Sequence, residues 1–107
     1  SSILADDFLF DDPFTKATGA QDFISKTKNW IQTKKSIHMQ TQFAEGNKVC
    51  SIYSIEVLTP SGNNVRFQLA DYIELTGEKI SKEIVYFKDP VNFANAMGFK
   101  DDYLKQY

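Results

Sequence analysis

One stretch of the sequence decides the fold, residues 65–75, which read VRFQLADYIEL. Apolar and polar residues alternate along it, as they do in a β-strand whose successive side chains point to opposite faces. One face then carries five apolar side chains and a single carboxylate, that of Asp71. Because a carboxylate in apolar surroundings resists ionising, Asp71 is the first candidate functional residue.

A second aspartate has the same kind of position near the start of the chain. Phe8, Phe10 and Asp12 share one face of a short extended segment that ends at Pro13. Carboxyl groups in such surroundings are candidates for proton transfer, so Asp12 and Asp71 are the predicted catalytic residues. The alternative for either one is an ordinary buried aspartate whose oxygens are satisfied by backbone donors or a hydroxyl.

Composition and charge narrow the classes of function. The chain has 107 residues, of which 42% are hydrophobic and 14% aromatic, as expected of one folded domain with a real core. A net charge of −2 gives no reason to expect a nucleic-acid partner. One histidine and one cysteine cannot form the usual zinc shell, so neither a metal nor another cofactor is expected. The lone cysteine suits a cytoplasmic protein, and no apolar run is long enough to predict a membrane partner.

The first third of the sequence predicts two helical segments around a short strand. Residues 2–7 are interpreted as the end of a helix, residues 8–12 as the strand and residues 14–18 as a loop. Thr18 and Gln21 have the spacing of a capping box, which marks the start of a helix. The helix that follows carries an apolar stripe at helical spacing, which must pack against the core. The stripe consists of Ala20, Phe23, Ile24, Thr27, Trp30 and Ile31.

The rest of the sequence predicts four long strands joined by short turns, over residues 37–44, 48–58, 65–75 and 79–88. Asp89 and Pro90 then predict a helix N-terminus, and Gly98 the end of that short helix. The polar tail, residues 101–107, is expected to be loosely held. This order of elements predicts an α+β fold, an antiparallel meander with helices on one face. Because residues 48–58 are apolar on both faces, a second subunit is the simplest cover for the other face, and we expect a homodimer.

Several segments, taken together, resemble proteins of the nuclear transport factor 2-like fold, in particular its SnoaL-like and ketosteroid isomerase-like members. They are residues 4–13 (LADDFLFDDP), Gly19 at the start of a helix, residues 71–80 (DYIELTGEKI) and residues 86–90 (YFKDP). The resemblance covers residues 2–98 and implies that residues 1–107 form a single SnoaL-like domain. The implied architecture is a cone-shaped half-barrel, a curved antiparallel sheet wrapped on helices around an apolar pocket. Relatives begin with a further helix across the pocket, which is expected to be absent here.

The resemblance also implies roles for the two aspartates. Asp12 falls where ketosteroid isomerases have their general base, and Asp71 where they have a protonated aspartic acid in the oxyanion hole. SnoaL-like cyclases use an aspartate at the second position as acid and base. The oxyanion-hole tyrosine of the isomerases lies on the helix expected to be absent. Tyr53 or Tyr86 would have to replace it, and a satisfied core tyrosine is the alternative for each.

Two main hypotheses of function follow. In the first, the domain is non-catalytic, holds a small apolar molecule in its pocket and forms a dimer through the sheet. In the second, it is an isomerase or cyclase in which Asp12 removes a proton next to a carbonyl and Asp71 donates a hydrogen bond. Epoxide hydrolysis is a third idea, which needs a richer polar cluster. The predicted pocket lining is Phe8, Phe10, Phe23, Trp30, Tyr53, Phe67, Leu69 and Tyr86.

Overall fold

A single curled sheet of six strands and three helices make up residues 3–31 and 34–105, which the computed structural model of the chain describes. The side chains of residues 29–31 and 34–35 are outside that description. The strand order in the sheet is β2-β1-β6-β5-β4-β3. The elements are β1 (Leu4–Asp11), β2 (Lys16–Thr18), α1 (Ala20–Ile31), β3 (Lys34–Glu45), β4 (Lys48–Leu58), β5 (Asn64–Thr76), β6 (Lys79–Phe87), α2 (Pro90–Met97) and α3 (Lys100–Leu104).

Strands β3 to β6 form the predicted antiparallel meander. Gly46 (φ 58°) and Gly77 (φ 62°) adopt the left-handed conformation in two of its hairpin turns, which glycine reaches at little steric cost. Strand β5 lies inside the sheet and pairs on both sides, so Asp71 stands opposite Ser51 of β4 and Val85 of β6. The stretch that decides the fold therefore also positions its carboxylate centrally in the sheet.

The N-terminal segment corrects two predictions. Residues 4–7, expected to be helical, belong to β1, and residues 16–18, expected to be a loop, form β2. Strand β1 runs parallel to β6 and antiparallel to β2, so the sheet is mixed rather than purely antiparallel. The physical reason is that β6 offers a row of backbone partners, and the helix propensity of four residues is too weak to compete with a sheet ladder. Leu4 and Phe8 are both buried, and the β1–β6 register shifts between Leu4 and Leu9.

Helix α1 starts where the sequence predicts, but a different residue caps it. The backbone N–H of Thr18 donates to Asp22 Oδ2 at 3.0 Å, so Asp22 takes the place expected for Gln21. This hydrogen bond and the neighbouring Lys26 ammonium lower the pKa of the Asp22 carboxyl. Gly19 (φ 95°) precedes the helix, and its N–H donates to the carbonyl oxygen of Phe8 at 2.6 Å. The start of α1 is therefore tied to β1.

The core lies between the inner face of the sheet and the helices. Phe8, Ile55 and Val57 are fully buried there. Phe23 of α1 contacts the Phe8 ring with the centroids 5.1 Å apart, so the apolar stripe of the helix packs as predicted at this position. Trp30, expected on the same stripe, has its side chain outside the described residues.

The C-terminal segment is better ordered than its polarity predicts. Asp89 caps α2 by accepting the Asn92 N–H at 3.0 Å, Pro90 occupies the first turn, and Gly98 ends the helix in the left-handed conformation, as predicted. The tail was expected to be loose, but residues 100–104 form α3 and bury Tyr103. The reason is aromatic packing, since the Tyr103 ring contacts Phe14 with the centroids 5.1 Å apart. None of the described helices is long and apolar enough to cross a membrane.

Candidate functional site

A cavity of about 110 Å³ lies between the inner face of the sheet and α1. Strand alternation explains its lining, because every second residue of β4, β5 and β6 points to this face. Helix α1 closes it with Phe23 and Thr27, and β1 contributes Phe10. The full lining is Phe10, Asp12, Phe23, Thr27, Tyr53, Ile55, Leu69, Glu83, Val85 and Phe87. The site is thus mainly apolar and aromatic, with a few polar groups.

Asp12 lies at the point where the chain leaves β1. Its Oδ1 accepts the backbone N–H groups of Phe14 at 2.8 Å and Thr15 at 2.6 Å, which shapes the loop before β2. Burial raises the pKa of the Asp12 carboxyl, against the lowering effect of these two hydrogen bonds, and the neighbouring Asp11 adds to the rise. Both hydrogen bonds use Oδ1, so Oδ2 is the oxygen available to a ligand.

Asp12 also marks the boundary between the cavity and the outside. An open cleft of about 680 Å³ lies next to the loop formed by residues 12–15. The cleft and the cavity share Asp12, Val85 and Phe87 in their linings. A ligand that enters the cavity from the cleft would therefore pass the Asp12 carboxyl.

Asp71 lies behind the cavity and contacts it through a tyrosine. The Tyr53 hydroxyl, which belongs to the lining, donates to Asp71 Oδ2 at 3.3 Å. Asp71 is 8% exposed, and its Oδ1 is buried without a hydrogen-bond partner among the described residues. Burial raises the pKa of the Tyr53 phenol, and the nearby Asp71 and Glu83 carboxylates raise it further. Tyr53 therefore keeps its proton at neutral pH and acts as a donor.

The structure separates the predicted site residues into two groups. Phe10, Phe23, Tyr53 and Leu69 line the cavity together with Asp12. Asp71 is outside the lining, one hydrogen bond away from it. The predicted catalytic aspartates are thus brought to one region of the fold, with Tyr53 between Asp71 and the cavity.

The other predicted lining residues lie elsewhere. Phe8 and Phe67 fill the packed core instead, and the Phe67 ring contacts Phe93 at a centroid distance of 4.9 Å. Tyr86 is exposed on the outer face of β6, because it alternates with the inward-facing Val85 and Phe87. Tyr86 is therefore not an inner-cavity residue, and Tyr53 is the tyrosine that reaches the site. The Trp30 side chain lies outside the described residues.

The sequence analysis did not identify two polar residues of the cavity lining. It treated Thr27 only as part of the apolar stripe of the helix, and it did not consider Glu83. Glu83 has the same alternation as Val85 and Phe87, so it is a carboxylate on an apolar face by the argument that singled out Asp71. Lys79 and Ser81, both polar, precede Glu83 in the same alternation of the sequence, and they hide this signal. Within the described part of the chain, no three histidine, cysteine, aspartate or glutamate side chains cluster as metal ligands would.

The environment of Asp12 predicts how stability changes with pH. Its folded-state pKa is raised, so its contribution to stability is fully present below the unfolded value, near 3.8, and is lost as pH rises through the folded value. Asp12→Asn keeps an oxygen for the two backbone N–H groups and has no charge to bury. As pH rises from acid to neutral, we expect the free energy of unfolding of Asp12→Asn to increase relative to that of the wild type.

Asp22→Asn is the matched control, because the pKa of Asp22 is lowered in the folded protein. Its contribution is present above the unfolded value and is lost as pH falls, so this variant should lose stability relative to wild type at neutral pH and approach it in acid. Urea denaturation from about pH 3 to pH 7 measures both trends. Equal pH trends in the two variants would contradict the burial argument for Asp12.

Comparisons with known proteins bear on the fold alone. No protein-family model matches the sequence, and no curated protein does. A nuclear transport factor 2-like protein of unknown function from Burkholderia pseudomallei superposes with a TM-score of 0.78 at 10% identity, over 90% of this chain and 80% of that one. A Catenulispora acidiphila protein with a ketosteroid isomerase-like fold, in complex with trimethylamine, superposes with a TM-score of 0.74 at 14% identity. The superposition covers 94% of this chain and 81% of that one.

A protein from Mesorhizobium loti described as a SnoaL-like polyketide cyclase is also similar, with a TM-score of 0.66 at 17% identity, over 78% of this chain and 77% of that one. The three superpositions cover at least 78% of this chain, so the similarity concerns the fold as a whole. The residues that carry the resemblance in the sequence lie in β1 and the loop after it, at Gly19 before α1, in β5 and β6, and at the start of α2. The chain therefore has the nuclear transport factor 2-like α+β fold, which ketosteroid isomerase-like and SnoaL-like proteins also have.

Proposed function

We propose that this domain binds a small, predominantly apolar molecule in the cavity between the sheet and α1. The observation that carries the proposal is a space of about 110 Å³ lined mostly by aromatic and aliphatic side chains with a few polar groups. Protein interiors are close-packed, and ligand sites combine apolar walls with few polar groups in this way. An apolar cavity of about 150 Å³ holds benzene, so this one has room for roughly four to five non-hydrogen atoms. The trimethylamine held by the similar Catenulispora protein is of this size.

Filling the cavity should abolish this binding. Thr27 lines it from α1 and is buried, so Thr27→Leu places a larger apolar side chain where the ligand would lie. We expect tert-butanol, a probe of five non-hydrogen atoms, to shift the amide NMR signals of cavity residues in the wild type with roughly millimolar affinity. The variant should show no such shifts.

Lys28→Leu is the control for this test, because it adds the same side chain to the exposed surface of the same helix. It should bind the probe as the wild type does. Identical titrations of the wild type and Thr27→Leu would show that the probe binds outside the cavity, and the proposal would then fail.

The proposal includes a dimer formed through the outer face of the sheet. Phe43 and Tyr86 expose large apolar surfaces there, 61% and 58% of each residue. A bulge in β3 between Met39 and Thr41 turns Phe43 to the face of Cys50, whereas Ile37 stays on the inner face with Ile55. Exposed aromatic side chains on one face of a sheet are typical of subunit contacts.

Sedimentation velocity at micromolar concentration tests the dimer. We expect a species of twice the monomer mass of 12.2 kDa, and Tyr86→Lys should convert it to the monomer because it places a charge in the contact. Ile37→Lys introduces the same charge at an equally exposed position on the inner face and should leave the dimer intact. A wild-type protein that sediments only as the monomer would contradict the dimer.

Acid–base catalysis in the same cavity is the second candidate function, and a specific observation favours it. Asp12 combines a raised pKa with a place in the lining, and the Tyr53 hydroxyl is held nearby by Asp71. In this reaction Asp12 removes a proton next to a carbonyl, and Tyr53 turns its hydrogen bond from Asp71 to the developing oxyanion. Asp71 thereby acts through Tyr53.

A panel of small ketones and lactones tests this second function. If one is turned over, Asp12→Asn should lower kcat by about 10²–10⁴, the usual contribution of a general base. The wild-type rate should fall as pH drops through the raised pKa of Asp12, because the base is then protonated, and this limb should be missing in the variant. The absence of turnover on every compound, with tert-butanol binding intact, would leave the binding function alone.

A further inference from the structure

The hydrogen-bonding groups of the cavity are unequally used. Its two side-chain hydroxyls are both engaged within the protein, because Thr27 Oγ1 donates to the Phe23 carbonyl oxygen at 2.7 Å and Tyr53 donates to Asp71. The acceptors of the lining are carboxylates, and Asp12 keeps Oδ2 beyond its two backbone hydrogen bonds. The site therefore offers the Asp12 Oδ2 acceptor to a ligand, while its two hydroxyl donors are occupied.

The charge of the lining has one sign. Asp12 and Glu83 bring carboxyl groups to the cavity, and among the described residues of the lining there is no lysine or arginine. Glu83 already has an interaction partner within the protein, and Lys16, near Asp12, belongs to the lining of the cleft. The carboxyl of Asp71 lies behind Tyr53, within reach of its hydroxyl. An anionic ligand would meet like charge at short range in a poorly screened site, whereas a cation would be attracted. The Asp12 carboxylate thus favours a ligand with positive charge.

The aromatic side chains suit a cation that carries no N–H donors of its own. Phe10, Phe23, Tyr53 and Phe87 all line the cavity. The Phe10 and Phe23 rings are 4.7 Å apart at their centroids and inclined by 53°, so they form a corner and not a flat wall. Aromatic faces attract alkylammonium groups, and a set of rings with a nearby carboxylate is how quaternary ammonium ions are recognised.

We propose that the ligand of this cavity is a small alkylammonium ion, held by the Asp12 carboxylate and the surrounding aromatic rings. The proposal rests on the proposed binding function, because it names the chemical class of the ligand of the same cavity. A quaternary ammonium ion with four methyl groups has five non-hydrogen atoms, which matches the space. Its apolar surface suits the rings, and its charge is balanced by Asp12.

The test compares tetramethylammonium with tert-butanol, which has the same number of non-hydrogen atoms and no charge. Amide NMR titrations on the whole chain, at constant ionic strength, should give a dissociation constant at least about tenfold lower for tetramethylammonium. In Asp12→Asn this preference should fall to within about twofold, because the variant loses the charge and keeps the acceptor for the Phe14 and Thr15 N–H groups.

Asp11→Asn is the matched control, since it changes the net charge by the same amount at a neighbour outside the cavity lining. It should preserve the tenfold preference. A loss of preference in both variants would indicate a general charge effect and overturn the assignment to Asp12. Thermal unfolding of each variant, measured in parallel, establishes that the variant is folded under the conditions of the titrations.

A pH series adds an independent readout, because tetramethylammonium does not titrate. Its affinity should be complete above the raised pKa of Asp12 and fall as pH drops through it, with tert-butanol unaffected. In Asp12→Asn, the pH dependence of the tetramethylammonium affinity should be smaller and should reflect only the other groups around this position. Those groups are Asp11 beside it, Glu83 of β6, Tyr53 of β4, Lys16 of β2 and Tyr103 of α3.

The outcomes distinguish this proposal from the binding function. If tetramethylammonium binds more tightly than tert-butanol and this preference depends on Asp12, the result supports both the binding function and the assignment of a cation. Binding of tert-butanol that equals or exceeds that of tetramethylammonium overturns the cation and leaves the binding function standing. Failure of both probes to bind the wild-type cavity overturns both proposals.

Discussion

Phe8→Ala should lower the free energy of unfolding by about 3–5 kcal/mol, the usual cost of replacing a buried phenylalanine by alanine. Phe8 is 0% exposed, and its ring lies against Phe23 and Phe10. The variant loses these contacts and leaves a hole between β1 and α1 that the close-packed core cannot fill. Since domains of this size are stable by only about 5–15 kcal/mol, we expect a fall in Tm of more than about 10 °C.

Leu9→Ala is the control for this prediction. Leu9 is the next residue of β1, points to the other side of the strand and is 47% exposed, so the change should cost less than about 1 kcal/mol. Urea denaturation of both variants measures the difference. Equal losses at the two positions would contradict the β1 strand and its register, because alternation would then not decide which side chain is buried.

Phe93→Ala should have the second largest effect, again about 3–5 kcal/mol. Phe93 is the aromatic centre of the C-terminal part, and its ring contacts Phe87 at 4.5 Å, Phe67 at 4.9 Å and Phe14 at 5.1 Å between centroids. Its loss removes the contacts that hold α2 against β5, β6 and the loop after β1. Because Phe87 also lines the cavity, we expect weaker ligand binding together with the lower stability.

Asn92→Ala is the neighbouring control in α2. The Asn92 side chain is exposed, and the backbone N–H that Asp89 accepts is retained in the variant, so the change should be within about 0.5 kcal/mol of wild type. Hydrogen exchange of the α2 amides shows whether the loss in Phe93→Ala begins locally. Wild-type stability of Phe93→Ala would mean that α2 contributes little to the core.

The site shows how this fold combines stability with an unfilled space. Phe8 and Val57 are fully buried in one closely packed part of the core, whereas the neighbouring Phe10, Tyr53 and Val85 face the cavity. Polar groups are confined to its borders, with Asp12 at the cleft and the Tyr53–Asp71 pair behind. A ligand-binding function would explain why this volume and these carboxyl groups lie beside a well-packed core.

The sequence by itself determined the elements whose signals are local. Alternation in β4, β5 and β6 predicted three strands of the meander, and Asp89, Pro90 and Gly98 predicted α2, because the period of two and the caps act between near neighbours. The segments that resemble the nuclear transport factor 2-like proteins predicted the α+β fold. The same alternation singled out Asp12 and Asp71, whereas both Tyr53 and Tyr86 stayed candidates for the inner face.

Only the tertiary structure decided the features that depend on distant partners. Residues 4–7 became a strand because β6 lay beside them, and Tyr103 became buried because Phe14 packed against it. The bulge in β3 separated Phe43 from Ile37, which strict alternation along a strand would place on one face. Glu83 lies in the cavity lining, Tyr86 lies outside it, and Asp71 lies behind the lining, one hydrogen bond from Tyr53. Curvature and helix packing, not alternation alone, decide which inward positions surround a cavity.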